Sequence, residues 1–476
     1  HLTDELNLGF HMIGDINPGT GWRSRSDNKY QQPLDLDSFY KLNHEFIQDK
    51  LQSHKADPYV HTMAEEVANE VANNRMNGPY RAPAHWCKQT TSLPDFEHTS
   101  TVKDLPSPTI LTSVAFAIHQ IGSDGKTKIR RGEDWRRSFH NSTIQAIDAP
   151  HHHNIQSYID LARHIHRPGL NLKLWGQDHE GAYRQLPVRD PAQTGVILFT
   201  THGPTLWTHN VLLFGATASV WGYNRFGDIM IWLPRALLGI PALHYVDDFG
   251  SIDEPDLVDS AFYAFTKFHD LLNFKMKPSK AQPPKATHKM QGVIIDIHCG
   301  FIRIQAEPRR RQRMISSLER ILDADQLKPD EAATVAGKLY FLTTSIFGHA
   351  AKAALRPIYA RGQWAPRNKQ QAEAKLNHGL RTSIKVILNI IRECRPVQIP
   401  LSPTTTFTPV VYADAYFLMG DLHLKPTDDI PDTWDTKQAP HFINGWGFVC
   451  RARPDLVLYA CGAASPRLLR KFCKRR

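Results

Sequence analysis

The sequence predicts an α+β fold. Between about residues 106 and 300, short runs rich in β-branched and aromatic residues alternate with runs of helical period. From 309 to 360 the apolar residues recur at close to the helical repeat. A Pro/Thr-rich linker, IPLSPTTTFTP at 399–409, then leads into a further β-rich stretch beginning VVYADAYF. At 476 residues the chain can bury several cores, and roughly two to four domains is the expectation.

Taken in order, residues 1 to about 105 are polar and turn-rich, broken by one helical stretch, YVHTMAEEVANEVANN (59–74), which stops at NGPYRAPAHW. In LNLKLWGQDHEGAYRQLPV (170–188), Leu170, Leu172 and Leu174 alternate with Asn171 and Lys173, the pattern of a half-buried strand that runs out into Asp178. PALHYVDDFGSID (241–253) sets two strand-forming runs either side of Asp247-Asp248, a tight hairpin with the carboxylates at its tip. KPSKAQPPKATHK (277–289) reads as a basic, proline-broken connection. Helices follow from 309, one of them opened by Pro-Asp-Glu after Lys328. A polar insert at about 421–441 interrupts the last β segment before INGWGFVC.

Composition narrows the function classes. With 41% apolar, 22% charged and 10% aromatic residues, disordered and fibrous classes are excluded. No apolar run is long enough to span a bilayer and the N-terminus has no secretory pattern, so the expected location is intracellular, cytoplasmic or nuclear. The first residue is His1 rather than Met, the mark of a fragment or a processed product. A net charge of +10 and a pI near 9.2 favour a polyanionic partner, nucleic acid first. Six scattered cysteines without a C-x-x-C pair exclude a zinc ribbon and a disulfide framework. His151, His152 and His153, with His164 and His166 nearby, lack the i, i+4 spacing of a helical zinc site and read as a polar loop.

Asp247 and Asp248 alone are either turn residues or half of a metal site. A metal site needs a third acid, cations for a polyanion, and room for a substrate. Asp178, at the end of its strand, is the third acid. A strand end beside a hairpin tip can bring Asp178 and Asp247 onto one pair of divalent ions. Mg²⁺ prefers such oxygen ligands and shares them with phosphates, and two ions serve the attacking and leaving oxygens of a displacement.

DHEGAYRQLP and YVDD, in this order, resemble motifs A and C of a reverse transcriptase. KIRRGEDWRRSFHN (128–141) resembles its fingers motif, LLFGATASVWGYNRF (212–226) motif B in its Phe-Gly form, NFKMKPSK (273–280) motif D, and MQGVIID (290–296) the primer-grip region. YADAY (412–416) and GWG (445–447) resemble the opening of the RNase H-like domain that follows in gypsy-like and DIRS-like retroelements. On this resemblance the later RNase H acids would lie beyond Arg476 or be absent, and no RNase H activity is expected of this chain.

The resemblance implies a right-hand polymerase: a polar and helical extension over 1–105, fingers and palm over 106–300, a helical thumb and connection over 301–400, and a partial RNase H-like α/β segment over 405–476. It implies an RNA-directed DNA polymerase from a retrotransposon polyprotein. Its partners would be a primed RNA or DNA template and dNTPs, with no membrane; the oligomeric state is left open. Asp178 and Asp247 become ligands of two Mg²⁺ ions, with Mn²⁺ as the alternative metal, and Asp248 a supporting carboxylate. Tyr183 lies under the incoming sugar and bars a 2′-hydroxyl. Arg130 clamps the triphosphate, aided by Lys128 or Lys126, while the backbone around Gly181, Ala182 and Tyr183 cradles phosphate oxygens. Phe214 and Gly215 lie against template base and nucleotide; many viral relatives have Gln at the Phe214 position, so contacts made by that Gln do not carry over. Lys280 donates a proton to the leaving pyrophosphate. Arg309, Arg310, Arg311 and Arg313 form a basic face that follows the duplex phosphates. Three competing readings remain: a decayed polymerase fold that only binds nucleic acid, an RNA-templated RNA synthesiser, and a metal-dependent nuclease in the C-terminal segment.

Overall fold

The structure, a computed structural model, describes residues 1–27, 29–53, 56–80, 109–121, 127–201, 203–345, 352–363, 374–393, 395–402, 410–419, 442–453 and 456–462. Residues His1–Leu401 form one compact unit and Ser402–Arg476 a second.

The first unit contains a four-stranded antiparallel sheet in the spatial order Gln282–Lys285, Lys173–Asp178, Asp248–Asp253, Leu243–Tyr245. Lys173–Asp178 was expected to be half-buried, yet every residue from Leu174 to Asp178 is buried. The reason is that strands flank it on both sides and each face meets a separate core. Leu174 joins Ile155, Tyr158 and Ile159 of the helix Ile155–Ile165. Trp175 packs on Phe265 of the helix Val258–Leu271, ring centroids 5.0 Å apart. Leu170 and Leu172, read as the start of this strand, precede it. Gln282–Lys285 corrects a second expectation, that 277–289 is only a connection. It pairs with Gly176 and Leu174, and as an edge strand it tolerates Pro283 and Pro284, which have no N–H to give.

A five-stranded sheet runs Met76–Tyr80, Gly203–His209, Gly195–Thr200, Thr112–Ile121, Thr127–Glu133. Its Thr112–Ile121 and Gly195–Thr200 pair is parallel. The helix Val60–Ala72 forms where the 3.6-period pattern places one, with Val60, Met63 and Val67 inward. The helix Leu36–Ser53 had no sequence-based expectation. Its buried stripe is Phe39, Asn43, Ile47 and Leu51, and the polar Asn43 breaks the apolar period. Asn43 is satisfied inside: its amide donates to the carbonyls of Thr112 (2.8 Å) and Ser138 (2.9 Å) and accepts from the Thr112 N–H at 3.1 Å.

A third sheet, Thr287–Met290, Val293–His298, Phe301–Ala306, Val397–Pro400, shares one apolar core with the helices Pro308–Asp323, Pro329–Ser345, Lys352–Gly362 and His378–Glu393. Pro308 and Pro329 open their helices, where a missing N–H costs nothing. At the N-terminus, Phe10 and Met12 pack with Trp221, Tyr223 and Phe226 of the helix Thr217–Leu238. There the buried Glu5 accepts from Arg225 at 2.5 and 2.7 Å.

The second unit is a three-stranded antiparallel sheet, Val410–Met419, Phe442–Arg453 and Leu456–Gly462. Asp414 stands opposite Gly447 of the Gly-Trp-Gly string. The insert expected at 421–441 lies outside the described residues. Among the described residues no helix is long and apolar enough to cross a membrane.

Candidate active site

The hairpin after Leu243 forms, but one residue out of the expected register. Tyr245 pairs with Asp248, so the connection is Val246-Asp247 and Asp248 is the first residue of the returning strand. Phe249 fixes this register: it is buried in the aromatic core, and a one-residue slip would turn it out. Val246 takes φ 54°, a left-handed conformation that strains a β-branched residue. The Asp247 carbonyl accepts from the His179 N–H at 3.3 Å, tying the tip to the neighbouring strand end.

Asp178 stands directly opposite Asp248. Opposed residues project from the same face of a sheet, so both carboxylates share one face and Asp247 follows at the tip. The next residues on that face, Gly176 and Gly250, are also opposed. A Cβ at Gly250 would lie 2.4 Å from Met290 Cε and 2.5 Å from the Tyr158 hydroxyl. Glycine here lets Met290 and Tyr158 seal the sheet directly beneath the acids. Lys280 reaches the same place from the short turn Pro278–Lys280, which is anchored where the Lys277 N–H donates to the Asp178 carbonyl at 2.8 Å. The Lys280 ammonium bonds the Asp178 carboxylate.

The electrostatics are those of acids crowded away from water. Burial, and the Asp178 charge after it, raise the Asp247 carboxyl above the ordinary carboxylate range. Asp248 is pushed up to about 7, by burial first, then by the charge of Asp178 and a hydrogen bond with it, then by Asp247. Burial works against the charge on Lys280, but its bond to Asp178 and the charges of the three acids outweigh that and raise its pKa. Among the described residues no three His, Cys, Asp or Glu side chains stand in a metal-ligating arrangement as placed. The chemistry of the donor set nonetheless fits a hard cation: three carboxylates of like charge, two with raised pKa, and a lysine in partial compensation.

Tyr183 follows a turn in which Gly181 (φ 72°) and Ala182 (φ 39°) are both left-handed. Its ring meets Phe214 edge-on at 5.3 Å and Tyr223 at 4.9 Å. Burial, then the Asp247 charge, push its hydroxyl up to about 12. Phe214 is 56% exposed, and Gly215, with φ 86°, makes the turn that presents it. Asn141 clamps this turn from both sides: its amide donates to the Gly215 carbonyl at 3.0 Å and accepts from the Thr217 N–H at 2.8 Å. No role was expected of Asn141, although it ends the 128–141 segment. His179, beside Asp178, is also new: it bonds the Tyr223 hydroxyl at 2.7 Å, and burial holds it well below its ordinary pKa.

Arg130 and Lys128 lie two residues apart on the strand Thr127–Glu133, hence on one face, and both are exposed. Among the described residues no hydrogen bond or ion pair joins either to the carboxylates. Lys126 lies outside the described residues. Two arginines of the basic face expected at 309–313 are engaged within the protein. Arg311 turns inward and caps a helix end, donating to the carbonyls of Ile391 (2.9 Å) and Arg392. Arg310 stacks over Phe341 at 4.4 Å. Another basic and aromatic surface is an open cleft of 760 Å³ whose lining includes Phe46, Lys50, Phe116, Arg136 and Arg137.

No protein-family model matches the chain, and no curated protein matches it. Among solved structures it is similar to a foamy viral protease-reverse transcriptase in complex with RNA/DNA hybrid, with 12% identity and a TM-score of 0.48, over 87% of this chain and 44% of that one. It is also similar to the foamy viral protease-reverse transcriptase dRH in complex with double-stranded DNA, with 13% identity and a TM-score of 0.46, over 97% of this chain and 63% of that one. The chain therefore spans less than two thirds of the length of either.

Proposed function

We propose that this chain is an RNA-directed DNA polymerase that extends a primer 3′ end with dNTPs, encoded within a gypsy-like or DIRS-like retroelement and acting inside the cell. The observation that carries the reading is the pairing of Asp178 with Asp248 across two strands, with Asp247 at the adjoining tip and Tyr183 packed between Phe214 and Tyr223. In this reading the four-stranded sheet is the palm, the five-stranded sheet with its two helices the fingers, and the four helices after Ala306 the thumb. The segment after Ser402 is the partial RNase H-like domain.

Asp178 and Asp247, supported by Asp248, would hold two divalent cations, Mg²⁺ or Mn²⁺, which when bound supply charge neutralisation and an activated primer hydroxyl. The bond formed joins the primer 3′-oxygen to the α-phosphate of the dNTP; the bond broken releases pyrophosphate in line. Lys280, kept protonated by the acids around it, offers its proton to the leaving pyrophosphate oxygen. Tyr183, held by Phe214 and Tyr223, gives the sugar a flat floor with no room for a 2′-hydroxyl. Arg130 and Lys128 take the triphosphate from the exposed face of their strand, the turn at Gly181, Ala182 and Tyr183 its oxygens, and Phe214-Gly215 the base pair.

The test is Mg²⁺-dependent addition of one complementary dNTP to a primed RNA template by the intact chain. Extension supports the reading. A protein that binds the template tightly and adds nothing supports instead a polymerase fold retained only for nucleic-acid binding.

A further inference from the structure

Beside the nucleotide elements runs a buried chain of charged side chains, joined through one neutral histidine, that the chemistry above does not use. Arg184, the residue after Tyr183, donates from Nε to Glu70 Oε2 at 2.7 Å and from Nη1 to His209 Nδ1 at 3.0 Å. His209 Nε2 lies 3.0 Å from Glu133 Oε1, and Arg131 Nε lies 3.3 Å from the same oxygen. The second Glu133 oxygen accepts from the Trp135 indole at 3.1 Å. The side chains of Glu70, Arg184, His209, Glu133 and Arg131 are largely buried.

The order of donors is fixed by chemistry. A guanidinium has no acceptor, so His209 must present a lone pair at Nδ1 and carry its proton at Nε2, from which it donates to Glu133. That requires a neutral ring. Burial lowers the His209 pKa to about 4. Burial opposes charge on Glu133, yet His209 and Arg131 outweigh it and hold the acid down at about 2. The relay is thus locked in one protonation state at neutral pH.

Its members adjoin each nucleotide element. Arg184 adjoins Tyr183. Glu133 ends the strand that carries Arg130 and Lys128. A Cβ on Gly215 would lie 3.6 Å from the Glu133 carbonyl and 3.4 Å from Trp135. Glu70 belongs to the helix Val60–Ala72.

We infer that the relay Glu70–Arg184–His209–Glu133–Arg131 sets the spacing between the sugar floor and the triphosphate clamp, and that His209 is the positioning residue for dNTP selection. The inference rests on the polymerase reading.

Two substitutions split the His209 ring. His209→Asn keeps an acceptor near the Nδ1 position, and His209→Gln a donor near the Nε2 position. Each breaks one side of the relay. Single-nucleotide kinetics on a primed RNA template should show the dNTP KM raised about tenfold in either variant, the loss expected of one charge-assisted hydrogen bond. The ratio of dNTP to rNTP use should fall, with kcat at saturating dNTP and primer–template affinity unchanged. A folded variant with wild-type KM and wild-type sugar selection overturns the inference and leaves the polymerase reading standing. So does a parallel fall in kcat and template affinity, which marks a general structural role. A wild-type chain that adds no nucleotide overturns the polymerase reading, and the inference with it. If neither His209 variant folds, Glu133→Gln, which keeps shape and an acceptor but removes the charge, is scored by the same criteria.

Discussion

At the scale of single residues, the functional reading turns on Tyr183. Its ring is wedged between Phe214 and Tyr223, and so is a rigid wall rather than a mobile side chain. Tyr183→Ala opens space where a 2′-hydroxyl would sit, and the preference for dNTP over rNTP is expected to fall by about tenfold or more. Competition between dNTP and rNTP in single-turnover extension measures this; an unchanged preference removes Tyr183 from sugar selection. Asp178, Asp247, Asp248, Lys280 and Tyr183 could be singled out because each lies in a short string whose chemistry is visible without its partners; the structure sets the acids and Lys280 side by side, and their roles are part of the proposal. Asn141, His209 and Arg184 were not legible, because their meaning lies in partners far along the chain. Arg184 bonds Glu70 across 114 positions and Asn141 bonds Gly215 across 74. The arginines at 309–313 show the opposite error. A run of like charge reads as a surface, but Arg311 is spent on the carbonyls at a helix end.

At the scale of elements, the turn carrying Phe214 and Gly215 is held by one side chain. Asn141→Ala removes both of its hydrogen bonds and should cost about 1–2 kcal/mol in stability. The dNTP KM should rise while primer–template affinity holds. Chemical denaturation together with single-nucleotide kinetics checks both, and a variant with unchanged KM would free the turn from this account. Helices with a clean apolar period, Val60–Ala72 above all, were legible in the sequence. Leu36–Ser53 was obscured by one buried polar residue, Asn43, which satisfies itself on backbone from two other segments. Gln282–Lys285 was obscured by its prolines, which only an edge position accommodates. The one-residue shift at the hairpin followed from burial of Phe249, a tertiary fact that local turn chemistry does not contain.

At the scale of the molecule, the buried histidines make the fold acid-sensitive. Burial lowers His140 to about 3, and His209 and His269 to about 4. Unfolded, each titrates near about 6.5, so below that pH the unfolded chain takes up protons that the folded chain refuses. Stability from these groups is full above about 6.5 and is lost as pH falls toward about 4. Asp248, raised to about 7, and Asp247, also raised, work in the opposite sense, against these three histidines and the likewise depressed His179. Thermal melts from pH 7 to pH 4.5 should therefore show a falling Tm, and steeper in Asp248→Asn, which removes one opposing group. A flat profile in both proteins contradicts this assignment. Whether the crowded acids form a nucleotidyl-transfer centre is decided by primer extension on an RNA template with Mg²⁺, comparing wild type with Asp247→Asn. Stepwise dNTP addition is expected of the wild type and none of the variant, with both binding the primed template equally. Extension by Asp247→Asn at the wild-type rate would contradict this expectation.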